Sequence, residues 1–203
     1  MLNFFIFKVN AQIWDSIKED LMTPASFFVN LDQHNSFVSS RLAKINGVRF
    51  GLSYQEKYKI GFGFYGLSSA TPLTTTQIVN GDTVYPKLNL GYFSFCYEYV
   101  FYQKYPWQFS VPVQVGIGNS FFDYTDKAGK YHKTKEQLIM LYEPAVIGQW
   151  KALKWVGLGF GVGYRLMLVS NPTLNQKFNS PIYSLGIRIF FDEIYHSLSP
   201  KKK

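Results

Sequence analysis

Residues 155–169 combine an unbroken apolar face with a row of glycines. This stretch, WVGLGFGVGYRLMLV, has glycine at every second position from Gly157 to Gly163. Because side chains of a strand alternate between two faces, one face is entirely apolar and the other holds the glycines and then Arg165. The spacing does not fit a G-x-G-x-x-G phosphate loop, and Arg165 interrupts the run well before the ~20 apolar residues of a membrane helix. The pattern predicts a strand.

The same alternation recurs along the chain and predicts eight strands. The other segments are 25–32, 45–54, 58–68, 88–102, 107–120, 138–150 and 182–191. The alternation slips near Gly91, which predicts a β-bulge there. Pro112 and Pro144 lie within predicted strands although proline cannot donate to a ladder, and nothing in the sequence explains them.

The connections between these segments alternate in length. Short connections cover 55–57, 103–106 and 151–154, and long ones cover 33–44, 69–87, 121–137 and 170–181. Short turns at one end and long loops at the other are typical of a transmembrane barrel with periplasmic turns and extracellular loops. The sequence therefore predicts an all-β protein, an eight-stranded antiparallel up-and-down transmembrane β-barrel over residues 24–195.

Aromatic residues at the short turns support this fold. They would lie at one height and form a girdle at the membrane–water interface. The predicted girdle residues are Tyr54, Tyr58, Tyr102, Tyr105, Trp107, Trp150 and Trp155.

Composition excludes several other classes of protein. Mean hydropathy is −0.07 although 19% of the residues are aromatic, as expected when apolar and polar residues alternate in membrane strands. The single cysteine, Cys96, permits neither an internal disulfide nor a cysteine metal site, and no metal or cofactor is expected. The net charge of +8 includes Lys201, Lys202 and Lys203, and the aromatics lie on apolar faces, so no nucleic-acid partner is expected.

Both ends of the chain lie outside the predicted barrel. Residues 1–11 end in Val-Asn-Ala, a small-residue cleavage pattern, and are predicted to be a signal-peptide remnant. Residues 12–23 form a predicted periplasmic segment, in which 13–22 have the spacing of a short amphipathic helix. Residues 196–203 form a basic C-terminal tail.

If the apolar faces meet lipid, charged side chains point into the barrel. Buried charges must pair, and an eight-stranded barrel has room for packed side chains rather than a wide channel. We therefore expect a structural plug, with Asp32 and Lys59 towards the strand ends. A narrow pore, or a pocket for an acyl chain beside the glycine rows, remains an alternative. The predicted interior network comprises Arg49, Glu98, Glu143, Arg165 and Arg188.

Two further functions are alternatives to a structural or partner-binding barrel. Asp32, His34 and Ser36 lie where the first strand enters the first long connection, and a Ser–His–acid set is suited to lipid modification by an outer-membrane enzyme. These residue types are also common in loops, so catalysis is not favoured. A soluble lipocalin-like carrier would need an apolar inner face, which the predicted interior charges oppose.

Residues 24–191 resemble the small eight-stranded outer-membrane barrels of Gram-negative bacteria, the OmpA/OmpX type. The closing segment SLGIRIFF is similar to their C-terminal assembly signal, although Ile189 stands where an aromatic is commoner. The stretches FFVNLDQHNSF and SPIYSLGIRIFF also resemble uncharacterised barrels of Bacteroidetes.

This resemblance implies an integral protein of the cell outer membrane. It implies contact with outer-membrane lipid or lipopolysaccharide, and insertion by the barrel-assembly machinery. We expect a structural, adhesive or partner-binding role; the resemblance names no partner protein.

Overall fold

The computed structural model describes most of the chain. The described residues are 22–38, 41–68, 77–79, 82–84, 86–169, 179–191 and 194. The predicted signal-peptide remnant, the amphipathic helix apart from its last residue, Met22, and the basic tail lie outside them. Within the described ranges, no helix is long and apolar enough to cross a membrane.

Eight long strands and three short ones make up the described fold, and the predicted all-β class is confirmed. In chain order, they are β1 (Ser26–Val38), β2 (Arg41–Tyr54), β3 (Tyr58–Leu67), β4 (Gln77–Val79), β5 (Asp82–Val84), β6 (Lys87–Lys104), β7 (Trp107–Thr125), β8 (Tyr131–Lys133), β9 (Gln137–Leu153), β10 (Val156–Val169) and β11 (Ser180–Phe190). Strands β4 and β5 pair with each other. β8 pairs with the last residues of β7, at the end of the barrel opposite the short turns, which we call the outer end.

The eight long strands close into an antiparallel barrel. Each pairs with the next along the chain, and β1 pairs with β11 to close the ring. The paired positions spiral: the row that starts at Leu158 passes through Ile187 and Leu31 and returns to β10 at Val169. Such a stagger requires strands that tilt relative to the barrel axis.

The predicted long connection over residues 33–44 is wrong. β1 and β2 stay paired as far as Val38 and Arg41, so only residues 39 and 40 connect them. The polar residues from Asp32 to Ser36 favour turns locally, but pairing with both neighbouring strands keeps them in the sheet.

The apolar side of the wall changes along some strands, as β6 shows. Towards the short turns, Phe95 and Tyr97 are exposed on the outside and Glu98 is buried inside. Towards the outer end, Leu88 and Leu90 are the buried residues of the same strand. The barrel is therefore apolar outside and polar inside over one part of its length, and apolar inside over the other.

This inversion explains the slip in the pattern near Gly91. Gly91 pairs with Gly66 on one side and Asn119 on the other in an unbroken register. The predicted bulge there is wrong, because the strand keeps its register while the apolar residues change faces. The register shift in β6 lies instead between Val100 and Tyr102.

Buried apolar side chains fill the barrel towards its outer end. We call this set the outer apolar plug. It comprises Ala43, Ile45, Tyr65, Leu88, Leu90, Tyr92, Phe122, Ile139 and Leu141.

The two prolines interrupt ladders that are otherwise regular. Between β7 and β9, pairing stops after Ser110 and Ile147 and resumes at Val113 and Pro144. Proline has no N–H to donate, so a regular ladder cannot continue through these two positions.

Several inward glycines make room for neighbouring atoms in a narrow lumen. A Cβ on Gly47 would lie 2.1 Å from the Tyr65 ring, and one on Gly116 would lie 2.7 Å from the Tyr92 ring. A Cβ on Gly163 would lie 2.5 Å from the carbonyl oxygen of Pro144. The space beside these three glycines is occupied by the protein itself.

Adding a methyl group at Gly163 is expected to destabilise the barrel. Gly163→Ala forces backbone atoms apart, which we expect to cost about 1–3 kcal/mol, as overpacking does. Gly66→Ala is the matched control, since a Cβ there meets nothing within 4 Å. The measurement is the temperature at which detergent-solubilised protein loses its fast-migrating folded band on SDS gels. Equal temperatures for the two variants would contradict the packing role of Gly163.

Candidate functional site

The barrel interior holds a charged network centred on Arg188. This β11 residue is buried and donates to side chains on four other strands. Nε donates to Asn30 Oδ1 at 2.8 Å, while Nη1 donates to Gln108 Oε1 at 3.1 Å and Gln149 Oε1 at 2.5 Å. Nη2 lies 3.0 Å from both carboxylate oxygens of Glu98. One side chain therefore joins β11 to β1, β6, β7 and β9.

Glu98 supplies the negative charge for further buried cations. Besides Arg188, its carboxylate lies 3.6 Å from Arg49 Nη1 and 3.5 Å from Lys59 Nζ. Arg49 Nε also lies 3.1 Å from Asp32 Oδ2. Because an uncompensated buried charge is strongly destabilising, these pairs hold β2 and β3 to the same centre.

A second charged cluster lies around Glu143. Arg165 Nε donates to one carboxylate oxygen of Glu143, and His34 Nδ1 lies 3.2 Å from the other. Tyr92 donates its hydroxyl to the same carboxylate at 3.4 Å, and Arg165 Nη1 donates to Ser36 Oγ at 3.4 Å. This cluster adds β10 to the strands joined through the interior.

Tyr65 connects the two clusters with each other and with the outer apolar plug. Its hydroxyl donates to Asp32 Oδ2 at 3.0 Å, beside Arg49. Its ring stacks on His34 and Tyr92, with centroids 5.3 Å and 5.0 Å apart. Charged and apolar groups therefore form one continuous filling.

The five residues of the predicted interior network all lie buried inside the barrel. They divide between the two clusters: Arg49, Glu98 and Arg188 in one, and Glu143 and Arg165 in the other. The alternation of faces was enough to predict that these side chains point inward. It did not predict which of them form ion pairs with each other.

Sequence reasoning missed several members of the network. Lys59 is the second residue of β3, towards the strand end as predicted, and its burial beside Glu98 is the part that the prediction did not contain. Gln108 and Gln149 lie on the inward face by simple alternation, so the sequence carried a signal for them. Tyr65 also lies on the inward face by alternation, but its contacts depend on the room that neighbouring glycines such as Gly47 leave for its ring.

The catalytic candidates do not form a triad. Asp32, His34 and Ser36 share the inward face of β1, but Ser36 contacts Arg165 and His34 contacts Glu143. Among the described residues, no hydrogen bond joins Ser36 to His34. The Ser36 hydroxyl has neither a base beside it nor space for a substrate, because the residue is fully buried.

Cavities within the filling are small. One beside Asn30 and Arg188 measures about 10 Å³, and one beside His34 and Glu143 measures about 20 Å³. Each of these spaces holds about one water molecule. No group of three or more potential metal ligands is found in the part of the chain that the structure describes.

The predicted girdle residues all lie at the short-turn ends of their strands. Trp107 and Trp150 face each other across β7 and β9. Tyr58 differs from the others because it is buried, with Lys57 5.0 Å from its ring centroid and the Tyr99 ring tilted against it at a centroid distance of 5.5 Å. The exposed girdle residues include Tyr102, Tyr105, Trp107, Trp150 and Trp155.

Above the girdle, the outer wall is an apolar belt. Large side chains such as Phe64, Val162 and Leu168 are more than half exposed. A soluble lipocalin-like carrier needs a polar outer face and an apolar inner one, so this belt contradicts the carrier alternative. A surface of this extent is stable in lipid.

At the outer end, β7 and β8 form a hairpin with its own polar contacts. The Asp126 carboxylate accepts hydrogen bonds from His132 Nε2 and from the Lys130 backbone N–H, both at 2.9 Å. The hydrogen bond from His132 is the main reason that the pKa of Asp126 is below its usual range. Tyr131 donates its hydroxyl to Asp123 Oδ2 at 3.3 Å.

Solved structures of small bacterial barrels share this architecture. Neisserial surface protein A has 16% sequence identity and a TM-score of 0.53, over 83% of this chain and all of that one. The N-terminal barrel domain of Pseudomonas aeruginosa OprF has 8% identity and a TM-score of 0.53, over 82% of this chain and 98% of that one. No protein-family model and no curated protein sequence matches the chain.

The fold is that of the small outer-membrane barrels. At these identities the likeness establishes the architecture alone, and it confirms the predicted eight-stranded antiparallel barrel. The exposed apolar belt provides the independent physical reason for a membrane location. Together they indicate an integral barrel of the cell outer membrane.

Removing Arg188 is expected to destabilise the barrel strongly. Arg188→Met leaves Glu98 with weaker compensation, and breaking a buried ion pair costs about 3–5 kcal/mol. Arg188→Lys keeps the positive charge beside Glu98 but loses the planar fork of donors, so it should recover part of this loss. The measurement is the free energy of unfolding in urea with lipid vesicles. A loss below about 1 kcal/mol in Arg188→Met would contradict the central role of this residue.

Acid is expected to loosen the outer hairpin. Because the pKa of Asp126 is lowered in the folded hairpin, its stabilising effect is complete above the ordinary carboxyl pKa of about 4. The effect is lost as the pH falls through the lowered pKa. NMR of the Lys130 amide in micelles should show this transition in the native chain and not in Asp126→Asn. The same transition in both proteins would contradict the assignment.

Proposed function

We propose that this protein is a non-conducting outer-membrane barrel that binds a partner at its outer end. The supporting observation is the filling of the lumen at two levels. The Arg188 and Glu143 clusters join the wall strands from within, and the outer apolar plug lies above them. The surface available to large molecules is therefore the outer end.

The charge of the outer end favours an acidic partner. Four exposed lysines lie on the hairpin and its flanks, against three carboxylates that have partners within the region. Glu136 pairs with Lys133 at 2.7 Å, Asp126 accepts from His132, and Asp123 accepts from Tyr131. Basic side chains on a defined scaffold attract acidic groups and raise their rate of encounter. The exposed lysines of this region are Lys127, Lys130, Lys133 and Lys135.

The alternative functions have less support. A pore needs a continuous aqueous path, whereas the cavities beside Arg188 and His34 hold about one water each. A lipid-modifying enzyme needs a nucleophile that a lipid can reach, and Ser36 is buried against Arg165.

Conductance measurements test the closed interior. We expect planar lipid bilayers containing the purified barrel to show no stepwise ion current across a range of voltages. A heat-modifiable gel band from the same preparation establishes that the protein is folded. Regular current steps that scale with protein concentration would contradict a closed lumen.

Binding to an acidic polymer tests the outer surface. Cells that display the native chain should bind immobilised dextran sulfate, and less strongly as salt rises. Lys127→Gln combined with Lys130→Gln and Lys135→Gln should lower binding severalfold, since three cations are lost. Lys104→Gln with Lys154→Gln, at the short-turn end, is the matched control. Equal binding by both variants would contradict an outer basic site.

A further inference from the structure

The outward apolar belt is unequal around the barrel. On β10 it runs from Trp155 to Leu168, whereas on β2 it runs only from Tyr54 to Val48. At ~3.3 Å per residue and a tilt of ~45°, these runs rise about 30 Å and about 14 Å. An outer-membrane barrel has an apolar band about 25 Å tall, so β2 and its neighbours fall short of the upper boundary.

Polar side chains occupy the missing part of the belt. Gln33 Nε2 donates to Asn46 Oδ1 at 3.0 Å, and Asn46 Nδ2 donates to Ser68 Oγ at 3.1 Å. Asn46, Lys44 and Ser68 are exposed on the outer surface. We call this set, which lies on β1, β2 and the end of β3, the lateral polar patch: Gln33, Asn35, Lys44, Asn46 and Ser68.

The patch faces outward because its strand neighbours face inward. Ala43 and Ile45 flank Lys44 and belong to the outer apolar plug, and His34 and Ser36 flank Asn35 and are buried. The patch cannot therefore turn into the lumen. Amide and ammonium groups at this depth lose water and must find other polar partners.

An apolar groove lies directly below the patch. It is open, has a volume of about 930 Å³, and crosses the outer surface from β10 to β3. The polar part of its lining consists of Gln33, Asn46 and Asp32, and the Asp32 carboxylate is compensated by Arg49 at 3.1 Å. Its apolar lining includes Leu31, Val48, Phe64, Phe160, Leu185 and Ile187.

We propose that the lateral polar patch and this groove bind one acylated lipid with an anionic, phosphate-bearing headgroup. The groove accepts the acyl chains, and the amides of Gln33 and Asn46 donate to headgroup oxygens. Lys44 supplies the positive charge opposite the phosphate, as basic side chains do at anionic membrane surfaces. The site is on the side of the barrel and is separate from the proposed partner site at the outer end.

The charge of the patch favours a lipid over a second copy of the chain. A two-fold contact sets the same surface against itself, which would bring Lys44 of one copy towards Lys44 of the other. No carboxylate belongs to the patch to compensate this repulsion. An anionic lipid headgroup removes the same charge.

Native mass spectrometry of the detergent-solubilised full chain tests the lipid site. The probes are dioleoylphosphatidylglycerol, which is anionic, and dioleoylphosphatidylcholine, which has the same acyl chains and no net charge. We expect the native chain to bind the anionic lipid about fivefold more tightly. Lys44→Gln should abolish this preference and leave binding of the neutral lipid unchanged.

Two further variants separate the headgroup from the acyl chains. Leu185→Trp fills the groove and should weaken binding of both lipids, whereas Lys87→Gln removes an exposed lysine of β6 outside the groove and should change neither. The gel-mobility shift on heating verifies that each variant is folded.

Equal affinity for the two lipids, or an unchanged preference in Lys44→Gln, would overturn the proposal. A lipid-free complex with the mass of two chains that Lys44→Gln leaves intact would identify a second copy as the occupant instead. Failure of the lipid proposal would leave the proposed partner site at the outer end untouched. That site is tested by dextran sulfate binding, which depends on the hairpin lysines and not on Lys44.

Discussion

The pairing of Arg188 with Glu98 is the interaction on which the closed barrel depends. An arginine in a water-poor lumen is tolerated only when its donors have partners, and every polar edge of this guanidinium has one. Because the partners come from different strands, all of these hydrogen bonds form only when the strands are in their closed arrangement. The surrounding amides Asn30, Gln108 and Gln149 complete the site.

The barrel wall is suited to lipid over one part of its length and to water over another. Within the membrane, the wall is apolar towards lipid and its interior is charged. Nearer the outer end, Ile45, Leu90 and Leu141 pack inside as they would in a soluble barrel. On β2 and β6 this exchange needs no change of register, because the apolar residues move from the outward positions to the inward ones, such as Ile45 and Leu90, further along the strand. β10, by contrast, stays apolar on its outside along its length.

Much of the fold was predictable from the alternation of apolar and polar residues alone. The eight strands and the inward direction of Arg49 and Glu143 follow from a period of two. The polar run from Asp32 to Ser36 led to the wrong prediction of a loop. Residue types that favour turns also occur in strands when both neighbouring strands pair with them, and the local sequence does not distinguish the two cases. The slip in alternation at Gly91 led to the wrong prediction of a bulge. A bulge and a change of the apolar face produce the same shift in the sequence pattern. Contacts such as the one between Tyr65 and His34 depend on distances across the lumen, which the alternation of residues does not determine.

The position of Arg188 on the last long strand has a consequence for biogenesis. Its partners on β1, β6, β7 and β9 are synthesised earlier. Until β11 arrives, Glu98 has only Arg49 and Lys59 beside it, and the amides of Asn30, Gln108 and Gln149 lack the guanidinium donor. An open sheet inserted in lipid would hold these polar groups beside an unsealed edge, at a high energetic cost. Arrival of the guanidinium completes both the hydrogen-bonded ring and the polar contacts inside it. Closure of the seam and burial of the interior polar groups are therefore coupled.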